Sequence, residues 1–126
     1  MRILTGIITV ALLTMATACT YSESGYLILR NETNFFIVGK PYTTDKLKLE
    51  ENFAVSPHDK IILANYNIAP DEQSEYLRQI IQLQIQSNDC VIYLDERDIY
   101  EVTTGGPNLV IHVKPDLFNK CRKSTR

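Results

Sequence analysis

Six residues, Ile81-Gln82-Leu83-Gln84-Ile85-Gln86, alternate apolar and amide side chains without a break, and Ser87-Asn88-Asp89 interrupts them. From Cys90 to Leu94 the alternation resumes. A period of two marks a half-buried strand, and two such runs around a turn signal read as a hairpin with one dry face and one wet face. Parity narrows the register, because a slip of one residue moves every side chain to the other face. A four-residue loop from Gln86 to Asp89 sets Ile85 opposite Cys90, Leu83 opposite Ile92 and Ile81 opposite Leu94, all six pointing inward. A three-residue loop would put Cys90, Ile92 and Leu94 among the glutamines. The same register turns Gln82, Gln84, Val91 and Tyr93 outward, with Gln82 opposite Tyr93 and Gln84 opposite Val91. Tyrosine with apolar and amide neighbours makes this a candidate partner-contact face, against the plainer reading of a wet sheet surface.

The rest of the chain is built of similar short runs. Tyr26 to Arg30 is apolar and ends at Asn31, Thr33 and Asn34. Phe35 to Val38 follows, with Gly39 and Pro41 as its stop signals. Lys46 to Glu50 alternates cleanly, Pro57 punctuates before Lys60 to Tyr66, and Leu109 to Val113 is entered through Gly105-Gly106-Pro107. Runs at this spacing predict an all-β fold, a small antiparallel β-sandwich. Their rhythm resembles that of immunoglobulin-like bacterial modules. One short helical turn is predicted near residues 70–78, where Pro70 stands at a first helical position and Asp71, Glu72 and Glu75 lie at the positive end. Continuing that helix would gather Leu77, Ile81 and Ile85 on one stripe, so the strand reading of 81–86 competes with it. At 126 residues, 44% hydrophobic and 22% charged, one domain fits, and the single sandwich is predicted over 26–121.

The N-terminus is an address rather than part of the fold. Arg2 and the α-amino group are followed by an apolar stretch from Ile3 to Leu13, then by Ala16-Thr17-Ala18-Cys19. The apolar stretch is shorter than the about 20 residues of a spanning helix, so residues 1–18 read as a cleaved signal peptide. Small residues ending at a cysteine resemble the lipobox of bacterial lipoproteins. That resemblance implies a diacylglycerol thioether on Cys19 and an acylated amino terminus. Ala16 stands where leucine is usual, and Ala16-x-Ala18 also reads as an ordinary type I cleavage site. Both enzymes would cut before Cys19.

Cysteine arithmetic separates the two. Type I cleavage leaves three cysteines, one of them odd in an oxidising compartment. Lipidation consumes Cys19 and leaves Cys90 and Cys121 as a pair, and exported domains favour disulfides. With its lipid the chain would be anchored facing the periplasm, with acyl chains in the membrane. Thr20 is not the aspartate that resembles an inner-membrane retention signal, which implies the outer membrane. Residues 19–25 read as lipidated cysteine and tether, reaching at most ~25 Å. Residues 122–126 read as a basic tail, either resting on anionic head groups or frayed in solvent.

The formal net charge of −2 gives no general attraction to nucleic acid. Residues for chemistry are few. His58 lies in a Ser-Pro-His-Asp loop, and His112 sits on the strand face opposite Leu109, Ile111 and Val113. Neither has a partner at metal-ligand spacing, so no metal or cofactor is expected. Ser56, His58 and Asp59 contain triad residue types, but sequence neighbours rarely adopt triad geometry. Asp95, Glu96, Asp98 and Glu101 lack the glycine of a calcium loop, and with Arg97 among them they read as a solvated turn. Asn31-Glu32-Thr33 is a glycosylation sequon, relevant only in a eukaryotic secreted protein. The expectation is a non-catalytic, membrane-tethered binding or assembly module with an envelope protein partner. The alternative is an inhibitor or accessory protein of an envelope hydrolase, whose plug would be Tyr42 to Asp45 or Gly105 to Asn108.

Overall fold

The computed structural model describes residues 23–119 and Cys121. The first strand, β1 (Glu23–Asn31), takes the predicted apolar run and extends it at both ends. It is the spine of one sheet. β4 (Lys60–Ile68) pairs with it antiparallel on one side, and β8 (Leu109–Val113) pairs with it parallel on the other. A two-residue strand, β7 (Thr103–Thr104), closes that sheet against β8, giving the order β4-β1-β8-β7. The second sheet is antiparallel throughout, in the order β3-β2-β5-β6: β2 (Ile37–Thr43), β3 (Phe53–Val55), β5 (Ile80–Ser87) and β6 (Cys90–Asp95). The predicted all-β sandwich is therefore what forms. The parallel β1–β8 pair is its departure from a purely antiparallel plan.

The core lies between the sheets. Leu27, Leu29, Ile111 and Val113 from the first meet Ile37, Val55, Ile80, Leu83 and Ile85 from the second, all fully or almost fully buried. Phe118, in the 3₁₀ turn Pro115–Phe118, sets its ring edge-on to Phe35 at 5.1 Å. Beyond that turn, Cys121 is bonded to Cys90, and the C-terminal segment is tied to β6 as the cysteine count suggested.

Two glycines each lie beneath an aromatic ring. A Cβ on Gly39 would stand 2.2 Å from the ring of Phe53, its cross-strand partner. A Cβ on Gly25 would meet the ring of Tyr66, its partner on β4, at 2.6 Å. An aromatic ring laid over a strand glycine fills the space a side chain would have taken. That is why β2 does not stop at Gly39. Nor does it stop at Pro41, which pairs with Leu83 on β5 at a level where β3 has already ended. An edge position can spare an N–H.

Other predicted boundaries shift for comparable reasons. Strand β1 begins at Glu23, so Glu23, Ser24 and Gly25 belong to the sheet and not to a tether; they pair with Ile68, Asn67 and Tyr66. Lys46 to Glu50 forms no strand. It buries Leu47 and half-buries Leu49 from a loop in which the Leu47 N–H donates to the Thr44 carbonyl at 3.2 Å. The helical turn near residue 70 is present, as the 3₁₀ turn Pro70–Glu72 and the short helix α1 (Gln73–Leu77). The acidic cluster read as a solvated turn is a second helix, α2 (Glu96–Glu101). Asp95 caps it by accepting the Asp98 N–H at 2.9 Å, while the Asp98 carboxylate accepts the Asp95 N–H at 3.3 Å. This reciprocal pattern satisfies two amide donors at the helix start, and it holds the Asp95 carboxyl below its usual range.

The signal peptide 1–18, Cys19 with residues 20–22 of the tether, and the basic residues 122–126 lie outside the described residues. Among the described residues, no helix is long and apolar enough to cross a membrane.

Candidate functional site

The hairpin that carries the candidate face turns through two residues, Asn88 and Asp89, with Asn88 at φ +54°. Asparagine tolerates this left-handed conformation better than most side chains. The tighter loop corrects the predicted pairing by two residues. Ser87 faces Cys90, Ile85 faces Ile92 and Leu83 faces Leu94, while Gln84 faces Tyr93, Gln86 faces Val91 and Gln82 faces Asp95. A shift of two preserves parity, so Gln82, Gln84, Val91 and Tyr93 still share the outer face. Ile81, expected inside, is 54% exposed. It is the extra residue of a β-bulge: Tyr42 and Thr43 on β2 face Gln82 and Ile80, and Ile81 is skipped. The bulge places Ile80 in the core in its stead.

Three cross-strand rows make up this outer face. Ala54, Val38, Gln86 and Val91 form the first; Lys40, Gln84 and Tyr93 the second; Tyr42, Gln82 and Asp95 the third. Sequence reasoning found the β5–β6 half and missed the β2 half, because it ended that strand at Gly39. Tyr93 is 58% exposed, Val38 41% and Tyr42 40%. The Lys40 ammonium lies 5.5 Å from the Tyr42 ring centre, within cation–π range. Val91 is only half-buried in this row, and the disulfide sulfur of Cys121 lies 3.7 Å from its carbonyl oxygen. The surface therefore offers two tyrosines, two valines, a lysine, an aspartate and a ladder of glutamine amides. That composition suits contact with a protein surface.

Ser56, His58 and Asp59 each make contacts of their own. His58 takes a left-handed backbone at φ +58°, and its Nε2 contacts Asn34 Oδ1 at 2.6 Å. Asp59 Oδ1 accepts the Lys60 N–H at 2.8 Å. Ser56 contributes only its carbonyls to Asp59 and Asn31 among these bonds. The Asn31 amide is buried and donates to the carbonyls of Phe35 at 2.9 Å, Val55 at 3.1 Å and Ser56 at 3.1 Å. Its Oδ1 accepts from the Thr33 N–H at 3.0 Å and the Thr33 hydroxyl at 2.6 Å. The sequon is thus a structural knot joining the end of β1 to the end of β3, with no free amide to modify. Among the described residues, no group of three or more His, Cys, Asp or Glu is placed to hold a metal ion.

One arrangement escaped the sequence reading. His112 Nδ1 contacts the Glu32 carboxylate, and His112 Nε2 lies 2.9 Å from the Thr104 hydroxyl. Hydroxyl, imidazole and carboxylate in this order is the connectivity by which nucleophiles are activated. Glu32 is 80 positions away from His112, so no local signal could have paired them. Here the three bridge β7, β8 and the end of β1. The clefts at the β6 edge, between the helices and beside Tyr26 are lined by other residues. The Glu32–His112–Thr104 chain ties three segments together, with its carboxylate and imidazole part-buried.

The two loops suggested as inhibitory plugs are each tied back to the body of the domain. Tyr42 lies within β2 on the sheet face, and the Thr44 hydroxyl beyond it contacts Gln79 Oε1 at 2.5 Å. Gly105 to Asn108 carries no charged or aromatic side chain. It is held back by Gln73 Nε2, which donates to the Gly106 carbonyl at 2.8 Å, and by Asn108 Oδ1, which accepts the Tyr26 N–H at 2.9 Å. Set against family models, curated proteins and solved structures, the chain matches none.

Proposed function

We propose that this chain is a membrane-tethered, non-catalytic contact module of the cell envelope, and that it binds an envelope protein through the outer face of the second sheet. The observation that carries this reading is the open face of three rows, with Val38, Tyr42 and Tyr93 exposed beside the glutamines. An open sheet face favours assembly over inhibition, because an inhibitor needs a projecting charged or aromatic plug. Tyr42 lies within β2 as part of the sheet face, and Gly105 to Asn108 carries no charged or aromatic side chain. The anchor is argued from Ala16-Thr17-Ala18-Cys19. The bond between Cys90 and Cys121 supports it, since Cys19 is then the odd cysteine. Acylated at Cys19, the protein faces the periplasm, on the outer membrane where the cell has one.

Both parts are testable in cells. Cys19→Ser should move the protein from membranes to the soluble fraction and abolish labelling by a fatty-acid probe. A wild-type chain that never takes the probe refutes the lipid and leaves type I cleavage. For the face, a photo-crosslinking amino acid at position 93 or 42 should give a discrete adduct that the same probe at position 62, on the other sheet, does not. Equal adducts from all three positions would refute the assignment.

A further inference from the structure

The first sheet carries a different kind of surface on its own outer side. Tyr26 projects from β1 at 46% exposure. Its partner on β4 is Asn65, and on the other side Asn108 precedes β8, where Leu109 pairs with Leu27. One row therefore reads Asn65, Tyr26, Asn108 across three strands. The next row pairs Ser24 with Asn67. Together with Gly25, Tyr66 and Pro107 these residues line a shallow groove of about 490 Å³ that no charged side chain enters.

Asparagine is depleted in strands because its amide competes with the ladder. Two of them on alternate exposed positions of β4, with Tyr66 turned inward between them, are not explained by the needs of the sheet. The side chain of Asn108 is already oriented, since its Oδ1 accepts the Tyr26 N–H. Strands lie about 4.8 Å apart, so an amide stands one strand spacing to either side of the tyrosine, within reach of the hydroxyls of a sugar stacked on its ring.

We propose that this groove binds a neutral carbohydrate. The exposed ring offers a π face to the C–H face of a sugar. The amides both donate and accept, as sugar hydroxyls do. An ionic ligand would lack a counter-charge here, and an apolar one would strip water from four amide or hydroxyl side chains without replacing it. The site is on the opposite sheet from the proposed protein-contact face and does not depend on it.

The test is saturation-transfer NMR on the full exported chain with three neutral tetrasaccharides, chitotetraose, cellotetraose and maltotetraose, and with tetragalacturonic acid as the charged control. At least one neutral sugar should receive saturation at its ring protons, which identifies whether the source is an amino-sugar or a glucose polymer. Tyr26→Phe should keep binding within about threefold, because the π face remains, whereas Tyr26→Ala should weaken it by about tenfold or more. Asn65→Ala should also weaken it, while Tyr93→Ala should leave it unchanged. No transfer to any neutral sugar overturns the proposal. So does transfer that survives Tyr26→Ala in a chain whose circular dichroism matches wild type, or equal transfer to the charged control.

Discussion

Replacing Asn31 with alanine should cost more than any other single polar substitution in the described domain. Its side chain is fully buried and serves three carbonyls and two donors at once. A hydrogen bond is worth about 1 kcal/mol net, but a buried partner left unsatisfied costs about 1–3 kcal/mol. The Val55 carbonyl, the Thr33 N–H and the Thr33 hydroxyl are the buried partners, and the hydroxyl can donate to the Phe35 carbonyl instead; the carbonyls of Phe35 and Ser56 are part-buried and can turn to water. Charging the full penalty to the Val55 carbonyl and the Thr33 N–H alone gives a loss of about 2–6 kcal/mol. For a domain of this size that is a fall in Tm of roughly 8–48 °C. Guanidinium denaturation followed by far-ultraviolet circular dichroism is the assay, with the disulfide kept oxidised. Asn31→Asp sharpens it. A carboxylate would face three carbonyls, so its pKa in the folded state must be raised. A raised pKa makes the variant least destabilised below about pH 4 and progressively worse as pH rises through the folded value. A loss under 1 kcal/mol for Asn31→Ala would refute the reasoning, since the orphaned groups would then have found water.

Leu83→Ala should cost about 2–5 kcal/mol as a core truncation, whereas Tyr93→Ala on the outer face should stay within about 1 kcal/mol; equal losses by denaturant titration would refute the assignment of faces. Breaking the Cys90–Cys121 bond by Cys121→Ser should cost about 3–4 kcal/mol from chain entropy for a separation of 31 residues, and thiol alkylation should find no free thiol at either position in the native protein. Burial raises the Tyr66 and Tyr76 hydroxyls above their ordinary value. Stability from these groups is therefore full below about pH 10 and is lost as pH rises towards their folded values. Tyr76→Phe should lessen that alkaline decline, and equal slopes in the two proteins would exclude the tyrosine as its source. Thr104→Ala and His112→Ala should leave partner crosslinking intact, and the wild type should hydrolyse no p-nitrophenyl ester; hydrolysis lost in either folded variant would replace the contact reading with an enzyme.

Much of the fold was legible because period-two alternation reports burial directly. Leu109 to Val113 has the boundaries predicted for it, and the helical turn near residue 70 announced itself through Pro70 and the acids that follow. The failures have one origin. Sequence signals near Gly39, Pro41 and Leu47 are local, whereas their outcome was decided by distant partners. Gly39 looks like a stop until Phe53 lies over it, and Pro41 looks like one until β3 proves too short to reach it. The alternation of Lys46 to Glu50 was real, but alternation predicts only which side chains are buried. Whether a neighbour offers a ladder of hydrogen bonds is a tertiary fact.

The candidate face shows how far such reasoning carries when its details are wrong. The pairing was off by two residues because the loop has two residues instead of four, yet Gln82, Gln84, Val91 and Tyr93 were all assigned to the correct side. Parity is fixed by burial of Leu83, Ile85, Ile92 and Leu94, and any register that kept those four inside had to keep Gln82, Gln84 and Tyr93 outside. Ile81 broke the pattern at the point where the backbone breaks its own, in a bulge. A bulge re-aims one residue and leaves the rest of the strand in phase. It therefore set an exposed isoleucine apart from the ordered face of Tyr42, Gln82, Gln84 and Tyr93, which is the face proposed for partner contact.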